Sequence, residues 1–316
     1  MGSIAVLGSL NMDLTVAVAA LPRPGETVLG DRLLTTLGGK GANQAAAAAR
    51  LGGVVRMVGR VGADAFGEQL WAGLAEDGVD VSGVAADPDA PTGAALIVVE
   101  RAGQNQIAVA PGANGRVDPG DVERLAAGLG PGDVVVLQLE VPVDAVRAAA
   151  GRARRAGALV VVNAAPAGPL AGQPPVAADL LVVNEAEASA LTGLAVDGVA
   201  SAEAAATRLG EAAAATSVAV TLGAAGAVVA TSRGAVRLGA LPVEAIDATA
   251  AGDAFVGAAA FGLARGWDVV RAARLGIAAG AAAVTRPGAR ASLPRPEDLR
   301  RLFGIELDEA GAGRRT

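Results

Sequence analysis

Short apolar runs alternate with helix-length segments over the C-terminal part of this 316-residue chain, and that alternation constrains the fold more than any other feature. The runs at 134–137, 159–162, 180–183 and 217–221 are too short for helices. They are also too continuously apolar for strands with one wet face, so they read as buried strands. Helices are expected at about 142–156, 185–192, 201–214, 251–264 and 268–284, with a hairpin at 227–238. Nearer the N-terminus, 4–8 and 54–58 read as strands, and 41–51 and 65–76 as helices, the latter with Asp64 as N-cap. The expected fold class is therefore α/β, a central mostly parallel sheet flanked by helices on both faces in a Rossmann-like three-layer arrangement. Segments 14–20, 27–36, 94–100 and 106–110 break the rhythm and are expected to form a small separate sheet, the last two as a hairpin. Residues 1–309 read as one domain, its smaller sheet drawn from about 13–37 and 93–110, and 310–316 as a disordered tail.

Composition then removes much of the chemistry such a fold could host. The chain has no histidine and no cysteine. A Ser-His-Asp triad, an imidazole or thiolate metal site, a disulfide and an iron–sulfur cluster are all excluded. Acid–base work must fall to Asp, Glu, Arg or the single lysine, Lys40. With no tyrosine, 2 Trp, 4 Phe and a net charge of -6, the surface lacks the stacking platforms and positive field that nucleic acid requires. No basic leader precedes the first apolar run and no long uncharged apolar stretch occurs, so a cytoplasmic protein without a membrane span is expected.

In open α/β sheets ligands bind beyond the carboxyl ends of the strands. Polar clusters follow or lie near those ends: Gly8-Ser9-Leu10-Asn11-Met12-Asp13, Gly38-Gly39-Lys40-Gly41-Ala42-Asn43-Gln44, Gln138-Leu139-Glu140, Asn184-Glu185-Ala186-Glu187 and Asp247 through Phe255. The Gly-Lys pair is not a Walker A loop, because Gly41 stands where Ser or Thr is required and the glycine spacing is wrong. Glu140 alone reads as a loop charge, and Asn184 with Glu187 as an ordinary helix cap. In the last cluster, Ala250-Ala251-Gly252 leads into a helix whose first turn carries Asp253. First-turn N–H groups there can seat an anion, and the carboxylate can take a proton from a hydroxyl. Phosphoryl transfer to an alcohol needs that pairing.

Together these clusters, with Pro24-Gly25-Glu26-Thr27-Val28, Thr92-Gly93, Gly112-Ala113-Asn114, Asn163-Ala164-Ala165-Pro166-Ala167 and Thr221-Leu222-Gly223, resemble the ribokinase/PfkB family of carbohydrate kinases from Gly8 to about Pro294. The resemblance implies a ribokinase-like fold with a β-sheet lid and ATP-dependent phosphorylation of D-ribose at O5. By position, Asp253 would be the base, with Ala250, Ala251 and Gly252 as anion hole. Asn11, Asp13, Gly39, Lys40, Asn43 and Glu140 would bind the sugar. Asn184, Thr221, Gly223, Gly226 and Gly252 would meet the nucleotide, and Glu187 would organise Mg²⁺ indirectly. Asp247, Thr249, Ala283, Arg286, Gly288 and Ser292 match a K⁺ site, and the lid implies a homodimer. Ile277, Pro287 and Ala164 depart from residues common in the family. The alternatives are a kinase for deoxyribose, fructose or a nucleoside, or a non-catalytic sugar- or nucleotide-sensing module. Scarce aromatics count against a nucleoside, and an intact base and anion hole against the sensor.

Overall fold

The structure, a computed structural model, describes residues 1–100, 104–173, 175–213 and 215–307. In chain order the strands are β1 (Ile4–Leu7), β2 (Asn11–Val18), β3 (Gly30–Gly38), β4 (Val55–Gly62), β5 (Asp80–Asp87), β6 (Gly93–Glu100), β7 (Asn105–Ala110), β8 (Val134–Leu137), β9 (Leu159–Asn163), β10 (Leu180–Asn184), β11 (Ser217–Thr221), β12 (Ala227–Thr231) and β13 (Gly234–Leu238). The helices are α1 (Lys40–Arg50), α2 (Ala65–Glu76), α3 (Pro119–Ala126), α4 (Val143–Arg155), α5 (Glu185–Thr192), α6 (Val199–Ala213), α7 (Ala251–Ala264), α8 (Val269–Ala283) and α9 (Pro296–Phe303).

Because strand side chains alternate between faces, the apolar runs feed two cores. Ile4, Val6, Val134, Val136, Val161 and Val182 pack with α1, α7 and α8 on one face. Their neighbours Ala5, Leu7, Val135, Leu137, Val160, Val162 and Val183 pack with α3, α4 and α6 on the other. Nine strands join in the order β13-β12-β11-β10-β9-β8-β1-β4-β5. Pairing is parallel from β11 to β5 and antiparallel only in the β11–β12–β13 edge. This is the helix-covered, mostly parallel sheet that the alternation predicts.

The irregular strands form a second sheet, β3-β2-β6-β7. β6 and β7 are the expected antiparallel hairpin, whereas β2 runs parallel to β6. β3 starts at Gly30 rather than Thr27, opposite Val18 and just past a bulge in β2. The tail expected to be disordered, 310–316, lies outside the described residues. Three elements carry too weak a pattern for the sequence reading: β5, α3 and α9. α3 is started by a capping box between Asp118 and Asp121 and by Pro119 at its first position. Arg60 of β4 holds both carboxylates of that box. Among the described residues no helix is long and apolar enough to cross a membrane.

α7 is buried from Asp253 to Ala264, wedged between α1 and α8. A Cβ at Gly257 would stand 2.6 Å from both Ala47 Cβ and the Gln44 carbonyl oxygen. Glycine at 257 therefore sets how closely α7 approaches α1. Valine has little helix-propensity advantage over glycine, on the order of a few tenths of a kcal/mol, whereas forcing methyl groups into a packed core costs about 1–3 kcal/mol. Gly257→Val is expected to lower stability by about that amount, read as a fall in the thermal unfolding midpoint. An unchanged midpoint would contradict the close helix contact.

Candidate active site

The carboxyl ends of β1, β8, β9 and β10 open toward the N-termini of α1, α5 and α7. At the first of these ends the backbone is pinned by close approach: a Cβ at Gly41 would lie 2.7 Å from Gly8 C, and Gly39 has φ +91°. Glycine at 39 and 41 lets the start of α1 lie directly on the turn after β1. Ala42 N–H donates to Ser9 O (3.0 Å). Ser9 Oγ donates in turn to Glu140 Oε2. The same oxygen faces Asn11 Nδ2 (3.4 Å) and the Lys40 N–H (3.3 Å). Buried Asn114 donates from Nδ2 to Asn11 Oδ1 (2.8 Å) and to Leu10 O (3.0 Å), which sets the Asn11 amide. A Cβ at Gly38 would collide with the Asp13 carboxylate at 2.1 Å, so Asp13 folds down over that glycine.

Asp253 sits in the first turn of α7 and is 7% exposed. Asn43 Nδ2 donates to its Oδ2 (3.0 Å) and Gln44 Nε2 to its Oδ1 (2.9 Å). Ala250, just before the helix, has φ 60°, the only non-glycine positive φ among the described residues, a conformation that costs about 1–2 kcal/mol for a residue with a Cβ. The first helical bond is Ala254 N–H to Ala250 O (2.8 Å). Gly252 and Asp253 N–H therefore have no acceptor within the helix, while Ala251 N–H already faces Ala248 O at 3.2 Å.

Four carboxylates, Asp13, Glu140, Glu187 and Asp253, surround the one ammonium, Lys40. Burial would depress the Lys40 pKa, but the four negative charges more than compensate and raise it. Asp13 is pushed up to about 7 by burial, then by the charges of Glu140 and Asp253, with Lys40 opposing. Burial also raises Asp253, against the attraction of Lys40 and the two amide donors. Glu187 is raised mainly by burial, with the Asn184 N–H and Lys40 opposing.

On the far side, Asn184 and Glu187 form a reciprocal capping box on α5, at 2.8 and 2.9 Å. The plain helix-cap reading of this pair is therefore satisfied, and Glu187 also feels Lys40. Asn184 pairs in register with Thr221 of β11, and Gly223 (φ +51°) and Gly226 (φ +91°) shape the turn that follows. A side chain at 226 would strike Leu238 O at 2.0 Å. Asp247 accepts from Thr249 N–H (2.9 Å), Thr249 Oγ1 (2.6 Å) and Gly288 N–H (2.8 Å). Although burial opposes them, these donors hold its carboxyl below the usual range. Ala283, Arg286 and Ser292 are linked separately: Arg286 N–H reaches Ala283 O (3.3 Å) and Arg286 Nη2 reaches Ser292 O (3.2 Å). Asn11, Asp13, Lys40, Asn43, Glu140 and Asp253 thus gather in one cluster, and the Asp247 loop leads into the helix that carries Asp253.

Several polar residues of the site had no role in the sequence reading. Ser9, Gln44, Asn114, Gln138 and Asn163 are all buried and hydrogen-bonded around Glu140, Asn11 or Asp253. Each stands in a cluster already singled out, and burial is what distinguishes it. The Asp13 carboxyl should take up its proton near pH 7. Because Lys40 pulls that value down, Lys40→Met should move the midpoint higher still. A carboxyl-¹³C NMR titration, assigned with Asp13→Asn, reads both. An Asp13 midpoint near 4 would contradict the burial and charge described.

The sequence pattern of the pfkB family carbohydrate kinases matches residues 1–296. A ribokinase of Schizosaccharomyces pombe is 39% identical over 314 residues, covering 96% of this chain and 98% of the relative. A deoxyribokinase of Salmonella typhi is 34% identical over 303 residues, covering 96% and 99%. The solved structure of Arabidopsis thaliana ribokinase complexed with ribose and ATP superposes with a TM-score of 0.83 at 29% identity, covering 97% of this chain and all of that one. Full-length similarity in sequence and fold makes the chain a phosphotransferase, a member of the pfkB family of carbohydrate kinases.

Proposed function

We propose that the chain transfers the γ-phosphoryl group of ATP to O5 of D-ribose, giving D-ribose 5-phosphate and ADP. The observation that carries this reading is the Asn43 amide: its Nδ2 holds Asp253, and its Oδ1 is buried without a partner among the described residues. An unpaired buried acceptor costs about 1–3 kcal/mol, and a ligand hydroxyl would relieve it beside the carboxylate that must take a proton. Asp13, Glu140 and Asp253 add acceptors, and Asn11 and Lys40 add donors, as a polyol requires.

In this reading Asp253 removes the O5 proton as O5 attacks the γ-phosphorus and ADP departs. Asn43 holds the carboxylate in place, and the backbone at 250–252 faces the charge that develops on the transferred group. Lys40 offsets the surplus of carboxylates. Residues 184, 221, 223 and 226 flank the nucleotide. Mg²⁺, when bound with ATP, neutralises phosphate charge, and the excess of carboxylates over the single ammonium suits a cation.

For K⁺ the donor set is one ionised carboxylate, Asp247, with hard oxygens from Thr249, Ala283, Arg286, Gly288 and Ser292. A monovalent cation there would stiffen the loop leading to Ala250. The small sheet serves as a lid over the sugar. It exposes Leu33, Leu96, Ile107 and Val109, a surface for pairing with a second copy. A cytoplasmic location follows from ATP as donor.

At fixed ATP, ribose should be turned over with higher kcat/KM than deoxyribose, fructose or a nucleoside, since a missing hydroxyl strands a site group. Asp253→Asn should lower kcat for ribose at least about 100-fold while calorimetry still detects ribose binding. A preferred substrate other than ribose, or near-normal turnover by the variant, would refute the assignment. Replacing K⁺ by Na⁺ at constant ionic strength should lower kcat/KM in the native chain and leave Asp247→Ala indifferent. Equal rates in both salts would remove the cation site.

A further inference from the structure

Behind Asp253 lies a line of amides that the phosphoryl-transfer reading does not use. Gln44 Nε2 donates both to Asp253 Oδ1 (2.9 Å) and to Asn163 Oδ1 (3.0 Å). Gln44 Oε1 accepts from Gln138 Nε2 (2.7 Å), and Asn163 Nδ2 donates to the β10 carbonyl of Val182 (3.2 Å). All three side chains are buried.

The direction of this line has one solution. A backbone carbonyl only accepts, so Asn163 must turn its NH₂ to Val182 and its oxygen to Gln44. Gln44 must then turn its NH₂ toward Asn163, which aims the same group at Asp253. Gln138 completes the lock by donating to the Gln44 oxygen. Its own Oε1 is buried without a partner among the described residues, packed where a Cβ on Gly8 would sit 1.8 Å away. A buried amide half unsatisfied is costly. The bond it makes to Gln44 Oε1 adds to an orientation that Asn163 and Asp253 already favour.

We propose that Gln44 is a positioning residue for phosphoryl transfer: its amide, held in one orientation by Gln138 and Asn163, fixes the plane of the Asp253 carboxylate so that Oδ2 faces the sugar hydroxyl. The inference rests on Asp253 being the base. Other charges facing that carboxylate are Lys40 from α1, Asp13 from β2, Glu140 after β8 and Glu187 from α5. Gln44 differs from these in being neutral, directional and fully buried. The Gln44 donor also favours the ionised carboxylate over the protonated one.

The test is the pH profile of kcat at saturating ribose and ATP, with ribose affinity measured by calorimetry. Gln44→Met keeps the length and removes the amide. It should lower kcat at pH 7 by about 10- to 100-fold, the size of a lost hydrogen bond to a charged group. Ribose affinity should be unchanged and the acidic limb displaced to higher pH, so that activity partly returns in alkali. Gln138→Met, which leaves Gln44 in place but removes the donor to its oxygen, should move kcat and the limb the same way by less. A purely structural role would scale kcat at every pH and leave the limb where it is. That result, or a kcat loss matched by lost ribose affinity, overturns the proposal. If Gln44→Met does not fold, an unmoved limb in Gln138→Met overturns it alone. Asp253→Asn separates the two readings. An inactive Asp253→Asn beside an unaffected Gln44→Met refutes only the positioning role, whereas an active Asp253→Asn refutes the base and the positioning role together.

Discussion

The close contact of α1 with α7 is the constraint on which the site depends. α1 presents Lys40, Asn43 and Gln44 from its first turns, and α7 presents Asp253 from its own. The two amide bonds to Asp253, 2.9 and 3.0 Å long, exist only if the helices approach to the distance that Gly257 and Ala47 allow. On its other side α7 meets α8 through equally small residues: a Cβ at Gly276 would strike the Phe255 ring at 2.8 Å, and one at Gly280 the Ala251 carbonyl at 3.2 Å. The alanine and glycine content of this chain thus has a mechanical use. It lets three helices pack with little side chain between them, and the polar ends of two reach each other.

The far end of α1 is held as firmly as its start. Arg50 pairs with Asp77 at 2.7 Å and donates to the carbonyls of Arg290 (2.8 Å) and Leu293 (3.1 Å). Asp77 also pairs with Arg290 at 2.6 Å. One helix therefore spans from the carboxylate cluster to the loop that carries Gly288 and Ser292, and Gly288 touches Asp247 in turn. The proposed cation site and the proposed base are therefore connected twice, by the short loop 247–250 that enters α7 and by small-residue helices. In the same cluster the charges of Lys40 and Asp253 act in opposite senses on Asp13 and on Glu187.

Much of the fold was legible because its strands are short, apolar and buried on both faces, a pattern helices do not share. β5, α3 and α9 escaped notice because their cues are local caps and an edge-strand pattern, weak beside the apolar runs. The residues of the cleft were legible as clusters after strands, and most as named candidates through their resemblance to carbohydrate kinases. Gln44, Gln138, Asn163 and Asn114 stood in those clusters without a role. An amide in a sequence carries no sign of whether it is buried, and their function lies in being buried and aligned. The Asn184–Glu187 pair shows the converse: its capping geometry follows from the sequence rule, and its electrostatic coupling to Lys40 does not.

By itself the sequence determined the fold class, the absence of histidine and cysteine chemistry, and the small set of acidic residues able to act as a base. Those follow from periodicity and composition, which are properties of the chain. Tertiary structure alone decided that residues 43, 44, 138, 163 and 253 meet at hydrogen-bond distance, and that burial and neighbouring charge push the Asp13 carboxyl up while three donors hold that of Asp247 down. The physical reason is that hydrogen bonds and desolvation depend on distances between segments far apart in sequence. Those distances are set by how closely two helices can pack.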